Sequence, residues 1–193
     1  MKSREEIIAQ LKGTLDQERF DHTLRVEKIA LALASKYRVS RTKAGAAALL
    51  HDCARRLDRT GLLKTAKILG LELDPVRMFE PKLFHGEIGR HLAKDEFGVK
   101  DQEILTAIEN HTTGRPGMSR LEKIIYLADH VEIGREFSGI DRIRKLAFTD
   151  LDRAIIAFAE NSIAYFLKLG LPFHPATVET RNYLLLKHGK KRN

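Results

Sequence analysis

Apolar residues recur at three- and four-residue spacing from one end of the chain to the other, the signature of amphipathic helices. Ser3-Arg4-Glu5-Glu6 reads as a capping box that opens a first helix, which stops at Gly13. Val26, Ile29, Ala30, Leu33, Ala34 and Tyr37 mark a long second helix, and His22 lies one turn before Val26 on the same face. Ser40 caps a third, alanine-rich segment that runs to His51-Asp52, and its small side chains favour close approach to neighbouring helices in a bundle. A shorter helix over 60–69 ends at Gly70. Residues 71–83, broken by Pro75 and Pro81, read as an irregular connection with one turn of helix at most. His85 begins a helix ending at Gly98, and Asp101 caps another that reaches His111. After the loop Thr112-Thr113-Gly114-Arg115-Pro116-Gly117, a second capping box, Ser119-Arg120-Leu121-Glu122, launches the helix that carries Asp129. Thr149 opens a long helix to Gly170, and Pro175 starts a last one to about Lys187. With no repeat and no linker, the pattern predicts an all-α, single-domain helical bundle over 1–193, with 188–193 a disordered tail.

Two of these apolar runs end in ionisable groups. His51-Asp52 closes Ala44–Leu50, and Asp129 closes Ile124–Ala128. Such groups do not belong at the ends of buried stripes unless something pairs with them. His22, His85 and His111 stand near the starts or ends of other helices. Imidazole and carboxylate ligands converging from separate helices would hold one or two divalent cations, and that donor mixture suits iron, manganese or zinc. Each residue alone has an ordinary reading as a hydrogen-bonded core group; the adjacent pair is what sets the group apart. His91 faces away from His85 on its helix, His130 points off the Asp129 face toward the border of a substrate pocket, and His174 and His188 lie in terminal segments.

Composition narrows the class. A net charge of +8 attracts polyanions, nucleotides among them. Part of that excess sits in the tail Lys187, Lys190, Lys191 and Arg192, and no recognition motif accompanies it, so nucleic acid is not the expected partner. No apolar stretch approaches the ~18 residues of a membrane span. The single cysteine, Cys53, excludes an intramolecular disulfide, reads as a small core residue, and fits a cytoplasmic protein.

His22, His51-Asp52 and Asp129 match the H…HD…D signature of the HD-domain phosphohydrolase superfamily. The strings Arg19-Phe20-Asp21-His22-Thr23, His51-Asp52-Cys53-Ala54-Arg55, His111-Thr112-Thr113-Gly114-Arg115-Pro116-Gly117-Met118 and Leu121–Asp129 resemble the bacterial YqeK family. That family comprises HD-domain symmetrical bis(5'-nucleosyl)-tetraphosphatases, helical and iron-associated. The likeness runs from about residue 5 to about residue 185, and the His111–Met118 string is its most specific part. Two departures stand out. Arg55 replaces a frequent lysine, and His130-Val131-Glu132-Ile133-Gly134-Arg135 replaces Tyr-Ile-Glu-Pro-Asn-Arg, keeping the glutamate and arginine but losing the proline and asparagine.

The resemblance implies that His22, His51, Asp52 and Asp129 bind one metal, and that Asp52 bridges to a second completed by His85 and His111. Metal-bound hydroxide would then cleave diadenosine tetraphosphate to two ADP, with Asp52 and Arg115 as the catalytic groups. Arg55, Thr112, Thr113, Arg115 and Arg135 would bind the substrate phosphates, with Arg25 a weaker candidate. Iron is the expected metal, a dinucleoside polyphosphate the expected ligand, and a homodimer an assembly left open. The alternatives are another HD nucleotide phosphohydrolase (a nucleotidase or an alarmone hydrolase), a di-iron oxygenase, and a nucleotide-binding regulatory module without catalysis.

Overall fold

The longest helix, α2 (Gln17–Tyr37), is the structural axis of the molecule in the computed structural model, which describes residues 1–189. It starts where the Asp16 side chain accepts from Arg19 N–H, and ends at Arg38 in the left-handed conformation. On either side of it pack α3 (Arg41–Leu50) and α8 (Arg120–Val131). The preceding helix α1 (Arg4–Thr14) has the capping box at Ser3 and Glu6 and runs one residue past Gly13. Beyond α3 the chain turns through a 3-10 segment at Cys53–Arg56, then forms α4 (Arg59–Ile68), α5 (Pro75–Phe79) and a second 3-10 turn at Pro81–Phe84. The stretch expected to be irregular is therefore better ordered than its two prolines suggested: each proline sits at the start of a turn, where its missing N–H costs nothing.

Two short helices, α6 (His85–Asp95) and α7 (Gln102–Glu109), lie against each other. Gly86 makes that approach possible, because a Cβ there would collide with the Glu109 carbonyl at the end of α7. Gly89 is less tightly placed, with Ile108 and the His51 carbonyl 3.3 and 3.4 Å from where its Cβ would lie. These two glycines bring the start of α6 and the end of α7 to the C-terminal end of α3. The fold is completed by α9 (Ile140–Ala147), α10 (Leu151–Leu169) and α11 (Pro175–Lys187), and no strand occurs among the described residues. The sequence reading passed over α9. The last long helix is capped by Asp150 rather than opened by Thr149.

One main core joins α1, α2, α3, α7, α8 and α10 through residues such as Leu11, Leu33, Ala47, Leu50, Ile108, Ile124 and Ile155, all buried. The alanines of α3 are all buried, three of them completely, as their size predicts for a helix sandwiched by neighbours. At the far side Lys123 of α8, Lys187 and His188 converge on Asp152 of α10, pinning the C-terminal helix. His188 thus closes α11 instead of belonging to a loose tail, while Lys190, Lys191 and Arg192 lie outside the described residues.

Candidate metal centre

The ends of five elements deliver the ionisable groups to one point. His22 projects from the first turns of α2, His51 caps α3, Asp52 follows it, His85 starts α6, His111 follows α7, and Asp129 lies in the last turn of α8. All six predicted ligands are buried. His22 Nε2 stands 3.0 Å from Asp129 Oδ1 and 3.8 Å from Asp52 Oδ2, and His51 Nε2 is 3.5 Å from Asp52 Oδ2. The other carboxylate oxygen, Asp52 Oδ1, faces His85 Nε2 at 3.1 Å and His111 Nε2 at 3.8 Å. Asp52 therefore turns one oxygen to each of two imidazole pairs.

The tautomers follow from the outer hydrogen bonds. His51 Nδ1 donates to the Ala48 carbonyl at 2.6 Å and His111 Nδ1 to Ile108 at 2.6 Å, while His85 Nδ1 contacts the Lys82 carbonyl. Each Nε2 is then left as a lone-pair donor directed inward. His22 Nδ1 is held by Glu132 Oε1 at 3.1 Å, and Glu132 is itself fixed by Arg25 and by Gly134 N–H.

Two observations test whether a metal fits. His22 Nε2 and His51 Nε2 are buried without any hydrogen-bond partner, an expensive state for an imidazole nitrogen in the interior. His85 and His111 also meet Nε2 to Nε2 at 2.8 Å, with both Nδ1 atoms already committed to carbonyls. Two lone pairs cannot face each other so closely unless a shared cation stands between them, a proton or a metal. Ligand atoms of His22, His51 and Asp129, and likewise of His51, Asp52 and His111, gather within 4.8 Å of one another. The donors fit.

The electrostatics agree. Burial pushes His51 down to about 4, against the pull of Asp52, so its imidazole is neutral at pH 7. Burial would raise both carboxyls, but the surrounding imidazoles, and Arg135 for Asp129, hold Asp52 and Asp129 well below the usual carboxylate range. His111 is shifted up: burial opposes its charging, and the pull of the Asp52 and Asp129 carboxylates prevails. Cys53 takes no part. Its buried thiol contacts the Gly89 carbonyl and is pushed up to about 12.

A cavity of about 210 Å³ opens onto this cluster, rimmed by Arg19, Arg55, Lys82 and Arg135 as well as Thr112. Arg19 contacts Asp52 Oδ2 at 2.9 Å and Arg135 contacts Asp129 Oδ1 at 2.6 Å. Arg55 and Lys82 form no ion pair among the described residues. Thr112 Oγ1 lies 3.2 Å from His85 Nε2, whereas Thr113 lines a neighbouring cavity instead of the mouth and hydrogen-bonds the Gly114 carbonyl. Arg19, Lys82 and Glu132 were missed as site residues by the sequence reading. For Arg19 the signal was its place in the motif string three residues before His22.

Arg115 is engaged elsewhere in this structure. Its guanidinium closes on Glu122, with Nε–Oε1 at 2.7 Å and Nη2–Oε2 at 2.9 Å, and it does not line the mouth. Glu122 is buried by its capping role at Ser119, so its carboxylate needs a cation, and the nearest arginine supplies it. Arg25 is likewise spent on Glu132.

The HD domain family matches residues 19–134, a span that holds every one of these ligands. The symmetrical bis(5'-nucleosyl)-tetraphosphatase of Bacillus subtilis is 39% identical over 185 residues, 95% of this chain and 98% of the relative. The same-named protein of Halalkalibacterium halodurans is 39% identical over 177 residues, 92% of this chain and 94% of the relative. A crystal structure from Clostridium acetobutylicum, described as a predicted HD superfamily hydrolase involved in NAD metabolism, superposes with a TM-score of 0.93 at 42% identity. That match covers 97% of this chain and 99% of the other. With ligands, fold and relatives in agreement, the chain belongs to the HD-domain family, in the group that contains these tetraphosphatases.

Proposed function

We propose that the chain is a metal-dependent hydrolase that cleaves diadenosine tetraphosphate, and related dinucleoside polyphosphates, symmetrically to two ADP. The observation that carries this reading is the pair of inward-facing donor sets sharing Asp52 beneath a cationic mouth. When bound, a divalent cation supplies Lewis acidity and lowers the pKa of its water from ~15.7 toward ~7. His22, His51, Asp52 and Asp129 would hold it, and Asp52, His85 and His111 would hold a second. Iron is the metal we assign to this imidazole and carboxylate mixture, and manganese suits the same donors.

The remaining work falls to the chain's own groups. The Ala48 and Ile108 carbonyls and Glu132 keep the imidazole protons on Nδ1, so that every Nε2 stays available. Arg55 and Lys82 are the cations with no carboxylate to satisfy, and they would take phosphate oxygens; the Arg55 fork can do so through two N–H bonds. Arg19 and Arg135 would hold Asp52 and Asp129 in place while facing the same phosphates. The Thr112 hydroxyl is poised to donate to an oxygen beside the His85–His111 pair. Water attacking one inner phosphorus breaks that atom's bond to the oxygen shared with the other inner phosphorus, adds OH to one ADP and gives up its second proton to the departing ADP or to solvent. Arg115 serves as a positioning residue that fastens the 112–118 loop to α8.

Product analysis tests the proposal. Iron- or manganese-loaded protein incubated with diadenosine tetraphosphate should give ADP alone on ion-exchange chromatography. ATP plus AMP would refute symmetrical attack. An absence of hydrolysis with metal bound would refute the substrate.

A further inference from the structure

A second cavity, of about 330 Å³, lies beside the metal mouth, and Leu83 and Thr112 line both. Its walls are aromatic: Tyr126 and His130 from α8, Phe158 and Phe166 from α10, and Phe173 from the segment before α11. Volume and lining fall in the range of small-molecule sites, which are mostly apolar with a few placed polar groups. His130 is such a group. Its ring packs 4.0 Å from Phe158 and 4.7 Å from Tyr126, centroid to centroid. Its Nδ1 donates to the Tyr126 carbonyl at 2.6 Å, which leaves Nε2 unprotonated. That Nε2 has no hydrogen-bond donor among the described residues, and the side chain retains 16% exposure. It is an acceptor, on an aromatic wall, at the border between chamber and metal mouth.

We propose that this chamber seats one nucleobase of a nucleotide whose phosphates lie in the metal mouth, with His130 Nε2 accepting from a ring or exocyclic N–H of the base. Nucleobases offer flat π-faces that stack on aromatic side chains, and N–H donors at their edges. Leu83 and Thr112, common to the linings of both cavities, mark where the sugar and the first phosphate would lie. The phosphate end of this inference rests on the hydrolase reading; the base end rests on the chamber alone.

The test uses ADP and inorganic pyrophosphate as separate probes on the manganese-loaded protein. His130→Phe keeps the ring packing and removes the acceptor. Ser162→Trp fills the chamber from a partly exposed position on α10. Each should weaken ADP binding about tenfold, with pyrophosphate binding, manganese affinity and melting temperature held within twofold or within a degree or so. ADP bound as tightly as by the parent would overturn the proposal. So would equal weakening of ADP and pyrophosphate, which would mark a disturbance of the metal mouth. If the parent fails to cleave diadenosine tetraphosphate but its ADP binding still depends on the chamber, the hydrolase reading falls and the chamber stands.

Discussion

Replacing Glu132 with glutamine isolates the orientation of His22 from its presence. The Glu132 carboxylate is almost wholly buried, at 1% exposure. It accepts from His22 Nδ1 at 3.1 Å, Arg25 Nε at 2.7 Å and Gly134 N at 2.6 Å. Burial would raise its pKa, but the Arg25 hydrogen bond and the other donors outweigh that and lower it, so it is ionised at neutral pH. Glutamine keeps the shape, yet its amide NH2 must face one of these donors, and the charge that strengthens His22 as a ligand is gone. Outer partners of metal-binding histidines are worth about 10–100-fold in affinity, or roughly 1.4–2.7 kcal/mol. The same donor–donor contact costs about 1–3 kcal/mol of stability, a fall of ~2–4 °C in Tm per kcal/mol at this chain length. Competition of manganese against a chelating indicator measures the first quantity, and calorimetric melting the second. Turnover at limiting metal should drop in proportion, and excess metal should restore most of it. An unchanged metal affinity in a variant with lowered Tm would refute the argument that Glu132 acts through His22.

Arg55→Ala and Lys82→Ala should each lower kcat/KM about tenfold through KM, with metal content unchanged, since both cations face the mouth without a carboxylate partner; steady-state kinetics with parallel metal analysis would show a structural role if metal were lost instead. Arg115→Ala should cost about 1–2 kcal/mol, because it strands the buried Glu122 while the arginine itself is partly exposed, and should leave KM less affected than either of those variants. A raised KM at unchanged Tm would restore Arg115 to the substrate. At Asp152, burial alone would raise the pKa, but hydrogen bonds from Lys123, Lys187 and His188 bring it down to about 2. A depressed carboxyl contributes stability above its unfolded value near 4 and loses it as pH falls toward 2. Asp152→Asn should therefore lower Tm at pH 7 and by clearly less at pH 2.5. An equal decrement at both pH values would contradict the charge-based account of how α11 is held.

The ligand set was legible because burial and ionisation conflict. An Asp or His at the end of an apolar helical run needs a partner, and His22, His51, Asp52, His85, His111 and Asp129 do converge. The rim of the site was harder to read. Arg19 and Lys82 reach the mouth from a helix start and a 3-10 turn, and no local period connects them. Arg115 looked like a phosphate ligand because it follows His111 in a glycine-rich loop. In the structure it pairs with Glu122, which is seven residues on and was visible only as a capping residue. The missed helix α9 is short, and it starts after Gly139 in the left-handed conformation, where a loop was the natural expectation. Its Ile140, Ile143 and Ala147 carry the three- and four-residue spacing and are buried.

The most direct test of the central claim is metal stoichiometry and ADP formation measured together on the parent and on Asp52→Ala. Among the described residues, Asp52 is the one whose two oxygens face both imidazole pairs. The parent should bind metal and release ADP from diadenosine tetraphosphate. The variant should keep its helical circular dichroism while losing bound metal and turnover together. Full turnover by a folded Asp52→Ala protein would contradict the account.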